Sequence, residues 1–265
     1  MIYYSKHLDR LVEIKKDANP DSWDEHWQKY RRRVPEKSSL LPLFAKKIPK
    51  GATIIEGGCG DGVHTVSLAR EGYNVTGIDY AEKTIDLLTK EHPEVAWIRG
   101  DVRKLDKDLR CDCYVSMGVV EHFWEGPDDI IKEINRVLNQ EGVLVISVPV
   151  INFIRRRKIT EDRYPLFSGR EKPEEFYQFY YSRREMEDLL KKNGFNIVYS
   201  RYSSAFKALM EDGSGFSGIF RMLDERAKEG RFWAKALILG LRRGLRPFLG
   251  HSLVFVCNKK DKRCA

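Results

Sequence analysis

A short apolar run at 52–56 leads into Gly57-Gly58-Cys59-Gly60-Asp61-Gly62, and a helical pattern follows from about residue 63. Glycines there allow a tight turn and let backbone N–H groups approach a ligand at a helix N-terminus. Asp79 ends the next apolar run, where a carboxylate can accept hydrogen bonds from both hydroxyls of a ribose. A GxGxG alone is a weak signal. A strand, the glycines, a helix and an acid-ended second strand together describe a nucleoside-binding site. Further on, Glu121-His122 follows a strand-like run, and histidine is the side chain best tuned to take a proton near neutral pH. His122 is the candidate general base and Glu121 its neighbour in the catalytic set.

The surrounding sequence supplies the elements these residues need. Residues 22–33 and 36–47 read as helices, the first with Trp23, Trp27 and Tyr30 at helical spacing and Asp21 or Ser22 as its cap. Strands are expected at 52–56, 74–79, 95–100, 113–118 and 142–148, with helical stretches at 63–71, 81–91 and 127–138 between them. Strands separated by helix-length segments define a doubly wound, mostly parallel α/β sheet with helices on both faces. Residues 151–181 have no clear period and read as an aromatic lid insertion. A helix at 183–193 and a strand at 195–202 follow, then a second insertion at 203–250 and a last strand at 252–258, the seventh. The expected division is an N-terminal helical cap over 1–50, a core over 51–202, the basic amphipathic insertion 203–250, and a final strand and tail over 251–265.

With Glu56 ending the first strand and glycines at 58, 60 and 62, the loop resembles the E/D-x-G-x-G-x-G motif of class I S-adenosylmethionine-dependent methyltransferases. A nicotinamide enzyme would read GxGxxG, and Val63 stands where its third glycine belongs. The resemblance continues through Gly77-Ile78-Asp79-Tyr80, Gly100-Asp101-Val102, the segment 115–123 and the turn 138–149. It implies a final strand antiparallel within the sheet. It also implies that Glu56, Gly58, Gly60, Asp79, Tyr80, Asp101, Val102 and Met117 hold S-adenosylmethionine, with Asp101 taking the adenine amine. Glu121-His122 is similar to the E-V-x-E-H motif of quinone-biosynthesis O-methyltransferases. Gly118 stands in place of its first glutamate, so no metal is expected. The N/D-P-P-Y motif of enzymes acting on planar amino nitrogens is absent, which leaves oxygen, carbon or aliphatic nitrogen as acceptor atom.

Composition bounds the rest. The chain has 265 residues, 42% hydrophobic and 32% charged, enough for a large core and unlike a disordered or disulfide-stapled chain. Five cysteines without a CxxC pair suggest reduced thiols and a cytoplasmic protein. The net charge of +8 is uneven: residues 51–150 carry 10 basic and 18 acidic side chains, and residues 151–265 carry 25 and 14. Basic flanks suit an anionic partner. An RNA-directed methyltransferase is the alternative, as is a non-catalytic cofactor-binding protein, but no RNA-binding module is recognisable. The acceptor is expected to be a small or lipid-linked molecule, held by Trp23, Trp27, Tyr30, Tyr177 and Tyr181. Residues 231–249 interleave bulky apolar and basic groups and are a candidate peripheral membrane contact.

Overall fold

A computed structural model describes residues 1–15, 23–30, 41–212, 217–245 and 249–260. Seven strands form the core sheet: β3 (Thr53–Gly57), β4 (Asn74–Asp79), β5 (Ala96–Arg99), β6 (Cys111–Met117), β7 (Leu138–Pro149), β9 (Phe195–Ser203) and β10 (Ser252–Lys259). Their spatial order is β5-β4-β3-β6-β7-β10-β9. β3 to β7 pair in parallel, and β10 lies antiparallel between β7 and β9, with Val254 opposite Ser147 on one side and Arg201 on the other.

Side-chain parity along the strands splits the core into two layers. On one face Ile55, Tyr114, Leu144, Ile146 and Phe255 pack with Ile130, Ile131 and Ile134 of α5 (Asp128–Val137) and Met186 and Leu190 of α7 (Arg183–Lys192). On the other, Ile54, Val75, Cys113, Val145 and Val254 meet Phe44 of α2 (Leu41–Lys47) and Leu68 of α3 (Val63–Arg70). α4 (Glu82–Glu91) buries Ile85 and Leu88 beside β5. The four described cysteines are buried and unpaired.

Two expectations change. Residues 1–50 are not simply a helical cap: β1 (Ile2–Ser5) and β2 (Arg10–Ile14) form a hairpin, and only then come α1 (Trp23–Tyr30) and α2. β2 pairs antiparallel with β8 (Phe176–Tyr180), giving a second, three-stranded sheet. The β-branched and aromatic residues of both segments favour strands, and Leu11, Val12 and Phe179 are fully buried. The insertion 151–181, which showed no clear period, holds β8 and also α6 (Phe153–Thr160), whose cap Asn152 accepts a hydrogen bond from the Arg155 N–H at 3.0 Å. The expected caps Asp21 and Ser22, and residues 36–40 of the helix expected over 36–47, lie outside the described residues.

Among the described residues of the second insertion, the helices α8 (Ala205–Asp212), α9 (Ser217–Lys228) and α10 (Phe232–Leu245) pack around Phe206, Leu223 and Ile238.

Candidate active site

Parallel strands bring the turns after β3, β4, β5 and β6 to one edge of the sheet, and a cavity of about 370 Å³ opens among them. Gly58, Gly60 and Gly62 have φ of 73°, 51° and 71°, the left-handed region that glycine enters without steric penalty. A Cβ at Gly58 would fall 2.4 Å from Val119, and one at Gly60 2.4 Å from the Trp27 ring. The Gly58 and Cys59 N–H groups donate to the Ile78 carbonyl at 2.7 and 3.0 Å, tying the loop to β4.

Asp79 organises this corner. Its Oδ2 accepts from the Gly60 N–H at 2.8 Å and its Oδ1 from the Ala81 N–H at 3.0 Å. Burial raises the carboxyl pKa above its usual value, and backbone N–H bonds from Ala81, Gly60 and Tyr80 oppose the rise. A carboxylate oxygen can accept more than one hydrogen bond, and Asp79 lines the cavity. Tyr80, Gly100, Asp101 and Val102 continue the wall. Asp101 accepts from Arg103 Nε at 3.0 Å and Nη2 at 2.7 Å, and these bonds hold its carboxyl below the usual range. Glycine backbone against the opening, a carboxylate at the end of β4 and an acid at the end of β5 fit the phosphate-free, polyhydroxylated nucleoside of S-adenosylmethionine.

Other expected cofactor residues stand elsewhere. Glu56 is 1% exposed and accepts a hydrogen bond from the Thr65 hydroxyl, so it fastens β3 to α3 below the loop and does not line the cavity. Met117 points the other way along β6, packing on the layer of Phe44 and Leu68, and Gly118 and Val119 form the wall instead. Gly60 lies beneath Trp27 rather than on the wall.

One wall of the cavity is aromatic. Trp23 and Trp27 of α1 stack at 6.0 Å, and Trp23 also stacks on Tyr177 at 6.3 Å. The His122 ring meets Trp23 edge-on at 4.8 Å and Tyr177 at 5.1 Å. Tyr181 is not there: it is fully buried, with the Arg10 guanidinium 4.7 Å above its ring. The side chain of Tyr30 lies outside the described residues. His26 and Phe176, from the two aromatic segments expected to build the pocket, line the cavity, and so do Lys15, Arg103, Trp124 and Lys172, which were not singled out as ligand contacts in the sequence. Lys15 arrives with the β2–β8 pairing and sits 4.7 Å over the Tyr177 ring.

His122 closes a short 3-10 turn, Val120–His122. Its Nδ1 lies 2.7 Å from the Tyr177 carbonyl oxygen, which can only accept, so Nδ1 carries the proton and Nε2 the lone pair. Desolvation, with His26 and Lys15 nearby, pushes its pKa down to about 4. The ring is neutral at physiological pH. Glu121 turns inward, is 2% exposed and does not line the cavity, unlike its neighbour His122. Its Oε2 has no hydrogen-bond partner, and burial raises its pKa to about 8.

These shifts have opposite consequences. Glu121 contributes stability below its ordinary value of 4.5 that is lost as pH rises toward about 8. His122 contributes stability above its ordinary 6.5 that is lost as pH falls toward about 4. Glu121→Gln should therefore remove the alkaline limb, raising unfolding free energy by roughly 4 kcal/mol at pH 8 and by less than about 1 kcal/mol at pH 5. Urea melts at the two pH values check this, and an unchanged difference between them refutes it.

Comparison with known proteins agrees with this geometry. Residues 27–200 match the family model described as a methyltransferase domain, and the chain belongs to that family. S-adenosylmethionine is the cofactor of this class of protein. A probable S-adenosylmethionine-dependent methyltransferase of Mycolicibacterium smegmatis is 28% identical over 149 residues, 56% of this chain and 53% of that protein. A ubiquinone biosynthesis O-methyltransferase of Coxiella burnetii is 33% identical over 110 residues, 39% of this chain and 46% of the relative. The chain thus matches about half the length of these relatives. The 1,6-didemethyltoxoflavin-N1-methyltransferase of Burkholderia thailandensis, solved with S-adenosylhomocysteine, superposes with a TM-score of 0.55 over 95% of this chain and 96% of that one. At 16% identity that likeness speaks for the fold. Among the described residues, no three His, Cys, Asp or Glu side chains gather as a cation site requires.

Proposed function

We propose that this protein transfers the methyl group of S-adenosylmethionine to a hydroxyl oxygen of a small hydrophobic or lipid-linked acceptor. One observation carries the reading: a histidine whose Nδ1 faces the Tyr177 carbonyl, which leaves Nε2 as the acceptor, set in an aromatic wall of the same cavity that Asp79 lines. S-adenosylmethionine, when bound, supplies an electrophilic methyl on its sulfonium. Asp79 and the glycine turn hold the nucleoside, Asp101 faces the base, and the stacked pair Trp23 and Tyr177 walls one side of a flat or apolar acceptor and excludes water. His122 Nε2 takes the hydroxyl proton as the oxygen acquires the methyl. Alignment of the reacting atoms supplies much of the rate, so few reactive side chains are needed. Peripheral contact of residues 231–249 with a membrane belongs to the same reading, since an acceptor on a lipid chain resides there.

The test is to incubate the protein with methyl-tritiated S-adenosylmethionine and a cell extract, then partition the products. The label should enter the organic phase, and hot hydriodic acid should release it as methyl iodide, as it does from an O-methyl ether. Label confined to water, or a methyl that resists hydriodic acid as a C-methyl does, overturns the reading.

A further inference from the structure

The second insertion leaves and rejoins the core sheet at one edge. β9 and β7 are both antiparallel to β10, so Ser203 at the end of β9 and Ser252 at the start of β10 lie at the carboxyl edge, where the cavity opens. The unit of α8, α9 and α10 is mounted there by a buried polar lock. Arg155 is fully buried, its Nε 3.0 Å from Asp212 Oδ2 at the end of α8, its Nη1 donating to the Val150 carbonyl at 2.7 Å. Asn152 Nδ2 donates to Asp212 Oδ2 at 3.2 Å and to the Gly250 carbonyl at 3.0 Å, which joins both ends of the insertion to α6.

Within this unit α10 uses a single stripe for packing. Ala234, Ile238 and Leu241 face the small core of Phe206 and Leu223. At roughly 100° per residue, Phe232, Ala236 and Leu239 point away from that stripe, with Trp233 and Leu237 on one flank and Lys235 on the other. Phe232 is 83% exposed, Trp233 54%, Leu239 50% and Leu237 47%. A helix that needed only to pack would carry polar side chains in that arc. Four large apolar groups together mark an interaction surface.

The chemistry of the arc selects the partner. α10 contains no acidic residue, Arg231 precedes it, and Arg231 and Lys235 have no ion-pair partner among the described residues. The nearby pairs Arg226–Glu229 and Lys228–Asp224 take up other charges of the unit. Tryptophan and phenylalanine with flanking cations suit the boundary between lipid headgroups and acyl chains. Among the described residues no helix is long and apolar enough to cross a membrane, so the contact lies in the plane.

We propose that α10 docks the protein on an anionic lipid bilayer. Phe232, Trp233, Leu237 and Leu239 enter the headgroup boundary, and Arg231 and Lys235 engage lipid phosphates. The proposal deepens the functional reading by naming the surface where a lipid-linked acceptor is met, but the docking itself rests on α10 alone.

Flotation of the full chain with vesicles tests it, using phosphatidylcholine alone and phosphatidylcholine with roughly a third phosphatidylglycerol. The protein should float with the anionic vesicles and be released by salt. The double variant Phe232→Ser, Trp233→Ser should lose at least about tenfold in partition. Lys235→Glu should lose roughly fivefold or more, and only on the anionic vesicles. Because these side chains are outside the helix core, unchanged thermal melts verify folding. No flotation of the wild type, or equal flotation of the double variant, overturns the proposal. So does a concentration-dependent dimer, abolished by the double variant without any flotation, which assigns the face to a second copy. Flotation without methyl transfer to any extract component supports the docking and overturns only the acceptor reading.

Discussion

His122→Gln should lower kcat by about two to three orders of magnitude and leave affinity for S-adenosylhomocysteine within about twofold. Glutamine fills similar space and retains an amide donor for the Tyr177 carbonyl, but it offers no basic nitrogen. The pKa near 4 makes the ring a weak base in isolation. That is sufficient here, because an oxygen acquiring a methyl becomes strongly acidic and its proton leaves late. The same shift sets the pH dependence. His122 stays neutral until pH falls to about 4, so the acid limb of kcat/KM should lie near there instead of near 6.5. Kinetics of both proteins between pH 4 and 8 check the two parts together. An unaltered kcat in His122→Gln removes the residue from the reaction. A limb near 6.5 places its ring in a wetter setting than the one described.

The cofactor corner was legible because it is local. The glycines, the end of β4 and the start of α3 lie within one β-α-β unit, so spacing alone brings Gly58 and Asp79 together. Errors began where one position of parity or depth decides the outcome. Met117 and Gly118 are adjacent, yet β6 turns the methionine to the layer under the sheet and gives the wall to its neighbour. Glu56 carries the residue type expected of a ligand, but its carboxylate is used inside the protein by Thr65.

The acceptor end was less legible, since long-range pairing builds it. Lys15 and Phe176 reach one cavity because β2 pairs with β8 across more than half the chain, which no local period reveals. Tyr177 and Tyr181 look equivalent in the aromatic run of the insertion. The first flanks His122, whereas the second sits at the bridge to Val150, buried under Arg10. The basic insertion was recognisable by composition. Which of its apolar residues pack and which face outward depended on the stripe of Ala234 and Ile238 meeting α8 and α9.

Asp79→Ala carries the other large effect. Two charge-assisted hydrogen bonds to ribose hydroxyls at about 1.5–3 kcal/mol each give a loss of at least about 3 kcal/mol, or more than roughly a hundredfold in affinity. The substitution also frees the Gly60 and Ala81 N–H groups that shape the loop, which adds to the loss. Asp79→Asn, which keeps an acceptor oxygen and the side-chain volume, should fall between the two proteins. Calorimetric titration with S-adenosylhomocysteine reads this directly, with the melting temperature confirming that each variant is folded. Saturable binding by the wild type and a dissociation constant raised about a hundredfold in Asp79→Ala is the expected result. Equal affinity in a folded Asp79→Ala variant would mean that the cofactor does not sit with its ribose at the end of β4.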